Sequence, residues 1–82
     1  MPDMAMEQRH LASAERDLAQ GEQRVTRQAA LVEALRREGR ATPEAEALLV
    51  ALRETLQTWH EHRNQIVHAI ERIKAATIRQ GR

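Results

Sequence analysis

The sequence contains no cysteine, no phenylalanine and no tyrosine. The absence of cysteine excludes a disulfide framework, a thiolate metal site and a cysteine nucleophile. Tryptophan occurs once and glycine three times, whereas Ala, Leu, Arg, Glu and Gln dominate the composition. These five residue types lose little free energy on entering a helix, so the composition predicts an all-α protein.

An excess of one charge and a long apolar run are also missing. Thirteen Lys and Arg residues stand against 12 Asp and Glu residues, which gives a formal net charge of +1, and the two signs are interspersed. No apolar run approaches the roughly 20 residues that span a bilayer, and residues 1–10 contain no apolar targeting core. We therefore expect a cytoplasmic protein with no membrane partner.

The middle of the chain contains signals for the end of one helix and the start of another. Gly39 suits the left-handed backbone position that follows a helix. Thr42 is a good N-cap, and Pro43 suits the first helical position. The sequence predicts a single domain, 1–82, with a helix at about 4–38, a loop at about 39–42 and a helix at about 43–79.

Both predicted helices carry apolar side chains at the alternating three- and four-residue spacing of a coiled-coil seam. Helices of about 35 residues have a length of roughly 50 Å, and a short loop between two of them predicts an antiparallel hairpin. The predicted seam of the first helix contains Leu11, Leu18, Val25, Val32 and Leu35. That of the second helix contains Leu49, Leu52, Leu56, Trp59, Ile66, Ile70 and Ile73.

Folding the chain about its loop predicts which seam residues meet. Small residues then lie opposite large ones, with Ala14 beside Ile66 and Gly21 beside Trp59. A glycine within a helix costs roughly 1 kcal/mol relative to alanine. We therefore expect the indole of Trp59 to occupy the space that Gly21 leaves open.

Two polar residues also fall within the predicted seam. Gln28 either fixes the register of the helices, as polar core residues do in coiled coils, or reaches water at the surface, and both interpretations are open. Arg63 is expected to lie on Leu18, with Asp17 as a nearby partner for its charge.

The apolar surface is wider than one helix-to-helix contact requires. Leu31 and Leu48 flank the seam near the loop, and Val67 flanks it toward the chain ends. A core of this size rarely supplies more than about 3–5 kcal/mol without further support. We expect a homo-oligomer, most simply a dimer that forms a four-helix bundle. The alternative is a regulatory adaptor that binds a helix of another protein.

Candidates for chemistry are few. His60 and His62 are two residues apart, so they point to different sides of a helix, whereas ligands on one face are three or four residues apart. With His68, they are interpreted as solvated histidines. Ser13 is the only serine, and no glycine-rich loop is present to bind phosphate or build an oxyanion hole. The sequence predicts no enzyme, no metal and no cofactor.

Basic residues gather at the loop, where Arg36, Arg37 and Arg40 lie, and again near the chain end. Cations favour the C-terminal turns of helices, which explains both clusters. Nucleic-acid sites typically show a basic stripe on one side or stacking aromatics, and Glu38 and Glu44 interrupt any such stripe. Nucleic-acid binding is therefore the least favoured function.

Four stretches carry a likeness to known sequences: His10-Leu11-Ala12-x-Ala14-Glu15-Arg16, Gly21-Glu22-x-Arg24-Val25-x-Arg27-Gln28, Leu48-Leu49-x-x-Leu52 and Trp59-x-x-His62-Arg63. In these the chain resembles a family of short uncharacterised bacterial proteins, over most of residues 10–66. The resemblance implies a helical cytoplasmic protein. It implies no activity, ligand or site residue, and no pattern in the chain specifies a pathway, a partner protein or a stoichiometry.

Overall fold

A computed structural model describes residues 3–40 and 42–80, and these form two packed helices joined by a short turn. Helix α1 spans Met4–Arg37 and helix α2 spans Pro43–Gln80. The predicted all-α antiparallel hairpin is confirmed. The observed C-terminal ends differ from the predicted ones by one residue each. Ala41 of the predicted loop, and residues 1, 2, 81 and 82 of the predicted domain, lie outside the described residues.

The turn is built from capping interactions that the local sequence specifies. Gly39 has φ 70°, a left-handed conformation that side chains with a Cβ rarely adopt. Its N–H donates to the carbonyl of Arg36 at 3.1 Å, and the N–H of Arg40 donates to that of Leu35 at 2.7 Å. This bonding pattern is the Schellman motif. At the start of α2, the N–H of Ala45 donates to the hydroxyl of Thr42 at 3.2 Å.

The core is thin and lies along the line where the helices meet. Ala14 packs with Ile66 and Ile70, and Leu11 and Met4 lie against this cluster. The small side chain of Ala14 therefore faces large ones, as the predicted pairing required. Among the described residues, six side chains are buried and none has less than 2% of its surface exposed: Ala14, Leu18, Val32, Leu49, Ile66 and Ile70.

The hairpin is a rod with a large surface for its mass. Its extents are 67 × 16 × 15 Å, and its radius of gyration of 18.8 Å compares with about 12 Å for a compact domain of this length. Its accessible surface is 6347 Å², whereas the general relation for compact monomers gives about 5,000 Å² at 9.4 kDa. The chain therefore exposes roughly 1,300 Å² more than a compact fold of the same mass.

The predicted contact between Gly21 and Trp59 is wrong. A Cβ built at Gly21 would lie 3.1 Å from Cδ1 of Leu56, which leaves no room there for an indole ring. Leu56 precedes Trp59 by about one helical turn, so it is Leu56, not Trp59, that packs beside Gly21. Trp59 instead lies at the margin of the seam and is 36% exposed.

Neither helix contains a stretch both long and apolar enough to cross a membrane, within the residues that the structure describes.

Candidate interaction surface

One side of the hairpin carries the ion pairs that connect the two helices, and we call this side the polar flank. It contains two ion pairs and one contact between a histidine and a carboxylate, each with one member on α1 and one on α2. Arg36 pairs with Glu46 near the loop. Further along, Nε2 of His60 lies 4.0 Å from Glu22, and Nη2 of Arg63 lies 3.7 Å from Glu15.

The pair nearest the loop has the closest geometry. Oε1 of Glu46 accepts hydrogen bonds from both Nε and Nη2 of Arg36, the former at 3.2 Å. This hydrogen bond, reinforced by the charge of Glu46, raises the pKa of Arg36. Both side chains are largely in contact with solvent, so water and salt screen the interaction. Its net contribution to the stability of the fold is therefore small.

Arg63 lies near Leu18, but its charge partner differs from the predicted one. Both residues line a shallow groove of about 270 Å³ that also includes Glu22 and His60. The carboxylate close to Arg63 is that of Glu15, not the predicted Asp17. Glu15 is three residues before Leu18 and lies on the polar flank, whereas Asp17 lies on the opposite side of the seam. The charged side chains that line this groove lie close to one another across the two helices, so they are not left free to bind a ligand.

The opposite side of the hairpin, which we call the apolar flank, is formed by Leu31, Leu48 and Trp59. Leu31 directly precedes the buried Val32, and Leu48 directly precedes the buried Leu49, so both turn away from the seam by about 100° in the same sense. Trp59 lies about three helical turns further along the same side of α2. Their exposed fractions are 48%, 49% and 36%, respectively.

Trp59 forms the broadest part of the apolar flank. Its ring makes an edge contact with the ring of His62, with the centroids 6.4 Å apart. Together with Thr55 and Thr58, these rings line a shallow hollow of about 380 Å³ on the surface of α2. A large aromatic ring with one face toward solvent is typical of interaction surfaces.

No family model matches the chain, and comparisons with curated proteins and with solved structures found no match either. The resemblance to short bacterial helical proteins stays a prediction.

The predicted seam residues occupy three kinds of environment. Those that are buried are Leu18, Val32, Leu49, Ile66 and Ile70. Those that are half-buried are Leu11, Val25, Leu35, Leu52, Leu56 and Ile73. Trp59 is the one seam residue of the predicted set that is classed with the exposed side chains. Of the predicted flanking residues, Leu31 and Leu48 are exposed and Val67 is half-buried.

The histidines lie apart from one another. His60 faces Glu22 on the polar flank, and His62 contacts Trp59 on the other side. Nδ1 of His68 lies 3.6 Å from the carboxylate of Glu71 on the outer surface of α2. Across residues 3–40 and 42–80, no three His, Asp or Glu side chains come together in a group able to hold a metal ion.

The cations near the loop have acidic neighbours. Arg36 pairs with Glu46, and Nη1 of Arg40 lies 3.6 Å from Glu38. These carboxylates reduce the positive potential that the loop presents to a phosphate backbone. The cluster therefore lacks the unopposed basic stripe that is typical of nucleic-acid binding.

The heptad spacing of apolar residues did not predict the three acidic partners of the polar flank, Glu15, Glu22 and Glu46. A signal was present, because each lies directly after a seam position of its helix. In antiparallel helix pairs, such positions of one helix lie beside the equivalent positions of the other. The observed register then determines which opposite charge each carboxylate meets.

Proposed function

We propose that this protein is a non-catalytic interaction module that self-associates, with a second copy of the hairpin completing a four-helix bundle. The observation that carries the proposal is the mismatch between a thin core and a large surface. No described side chain is more than 98% buried, while the accessible surface is roughly 1,300 Å² above that of a compact monomer. A stable interface takes about 800 Å² from each partner, so the excess is large enough to supply one.

A second copy is favoured as the partner for two reasons. Symmetric homodimers are the commonest soluble oligomers. In addition, the formal charge of +1 gives two copies little electrostatic reason to repel each other or to select a strongly charged partner. The cytoplasmic location expected from the sequence belongs to the same proposal.

Sedimentation equilibrium over a range of micromolar concentrations tests self-association. The expected result is a mass twice the 9.4 kDa of the chain, with a melting temperature that rises with protein concentration because association stabilises the folded state. Far-UV circular dichroism on the same samples establishes that the chain is helical. A helical monomer throughout, with a melting temperature independent of concentration, would contradict the proposal. That outcome would favour the adaptor that binds another protein's helix.

A further inference from the structure

We propose that the second copy packs on the apolar flank, with the two-fold axis parallel to the helices and both loops at the same end. This inference rests on the proposed self-association and specifies its surface and symmetry. The surface is formed by Leu31, Leu48 and Trp59, and the polar flank faces water in the complex.

The two flanks differ in what their burial would cost. Covering the polar flank would remove the charges of Glu15, Glu22 and Glu46, with their partners, from water, and desolvation of ion pairs often exceeds their mutual attraction. Covering the apolar flank would remove two leucine side chains and an indole from water, which is favourable, and would also desolvate the carboxylate of Asp17 on the same side. The flank without interhelical ion pairs among the described residues is therefore the one that a second copy covers.

The positions of Leu31 and Leu48 along the rod select the symmetry. The observed contacts of Gly21 with Leu56 and of Glu22 with His60 set the register of the helices. In this register Leu31 and Leu48 lie at the same level, near the loop. A two-fold axis parallel to the helices keeps every residue at its own level in both copies, so the leucines of one copy meet those of the other.

The same symmetry uses the full length of the hairpin. A perpendicular two-fold axis that brought the leucines together would overlap only the loop ends of two rods 67 Å long. The area buried would then be small compared with the roughly 800 Å² per partner that a stable interface takes. With parallel symmetry, α1 of one copy lies along α2 of the other, and Leu31 of one copy faces Leu48 of the other copy. In this arrangement the carboxylate of Asp17 in one copy lies at the level of His62 in the other, whose ring N–H can donate to it.

Because the chain lacks cysteine, single introduced cysteines can report this contact. Leu31→Cys and Leu48→Cys are purified separately, mixed in equal amounts and oxidised under conditions in which the native protein is dimeric. A disulfide needs Cβ atoms about 3.5–4.5 Å apart, so it forms only between residues that meet. The expected product is a mixed disulfide between the two variants, in a larger share than random pairing gives. Intact-mass spectrometry distinguishes it from the two symmetric products.

The matched control is Val50→Cys, mixed with Leu31→Cys. Val50 is 54% exposed and two residues from Leu48, but it lies toward the polar flank, so no cross-link is expected. If disulfides between two copies of the same variant were in excess over the mixed disulfide, the proposed symmetry would be overturned. Efficient cross-linking through the Val50 position would overturn the choice of flank while leaving self-association intact. A native protein that sediments as a helical monomer would remove both proposals.

A second pair of variants tests the flank without chemical cross-linking. Leu48→Glu places a charge in the proposed interface, and we expect it to raise the dissociation constant of the dimer at least about ten-fold. Val50→Glu places the same charge at a comparably exposed site outside the interface, so its dissociation constant should remain within about two-fold of the native value. Equal weakening by both variants, with helicity retained, would overturn the assignment of the flank.

Discussion

Gln28 donates a hydrogen bond from its side-chain Nε2 to the main-chain carbonyl of Ala45, at 2.9 Å. The bond is partly buried and connects α1 to the first turn of α2. A carbonyl oxygen has a fixed place on its helix, whereas a long side-chain partner has several conformations. The bond therefore fixes how far α2 is displaced along α1 near the loop.

Replacing Gln28 with alanine should lower the stability of the hairpin. A hydrogen bond of this kind contributes about 1 kcal/mol net, and the partly buried carbonyl of Ala45 loses one of its donors. Alanine is the better helix former, which offsets a few tenths of a kcal/mol. Chemical denaturation at a fixed protein concentration measures the difference.

Gln23→Ala is the matched control, because Gln23 is exposed on α1 and its replacement provides the same gain in helix propensity. We expect it to be neutral or slightly stabilising. If the variants at positions 23 and 28 had equal stability, the bond to Ala45 would contribute nothing and Gln28 would not fix the register.

The sequence was sufficient to place Gln28 in the seam but not to identify its partner. Heptad spacing depends only on positions within one helix, and it specified two helices and their facing sides. The bond to Ala45 depends on the displacement of one helix along the other. That displacement results from the turn and from side-chain packing over the whole length. The sequence left open whether Gln28 fixes the register or reaches water. The structure shows its side-chain amide bonded to the carbonyl of Ala45.

The turn was predicted correctly from the sequence and the position of Trp59 was not, and the reason is again the difference between local and long-range contacts. The left-handed Gly39 and the N-cap at Thr42 depend on a few consecutive residues, so their prediction from sequence was straightforward. Which residue of α2 fills the space beside Gly21 depends on side-chain packing between the helices, and the structure places Leu56 there while Trp59 is 36% exposed. The apolar flank could be identified only after this placement was known.

Glu46→Gln should lower the melting temperature by an amount that depends on salt. The variant removes the charge that attracts Arg36 but retains an oxygen that accepts its hydrogen bond. Both groups are exposed, so the difference from the native protein should be larger at about 0.05 M than at about 1 M salt, where the Debye length is near 3 Å. Thermal denaturation at the two salt concentrations measures it.

The control for this variant is Glu44→Gln. Both glutamates lie in the first turn of α2 and interact with the helix dipole, but only Glu46 pairs with Arg36. The raised pKa of Arg36 means that its contribution is present below its unfolded pKa and is lost only as the pH rises through its folded pKa. Both values lie far above neutrality, so the difference between the variants should be constant between about pH 6 and about pH 9. A difference that vanished within this range would exclude Arg36 as the source.

The close approach of Leu56 to Gly21 leads to a prediction about the centre of the hairpin. Gly21→Ala should gain roughly 1 kcal/mol from helix propensity, but its new methyl group would lie 3.1 Å from Cδ1 of Leu56 and would displace that side chain. In the otherwise native protein, we expect Gly21→Ala to raise the free energy of unfolding by less than half of the amount that helix propensity alone would give. Urea denaturation at one fixed protein concentration gives the free energy of unfolding.

A double-mutant cycle separates the two contributions. Leu56→Val removes the Cδ1 atom, so Gly21→Ala in that background should gain close to the full 1 kcal/mol or so that helix propensity provides. Ala30→Gly, at an exposed position of the same helix, measures the propensity term independently as a loss. A gain of equal size in both backgrounds would mean that Leu56 does not restrict position 21. Leu56 would then not be the residue that fills the space beside the glycine.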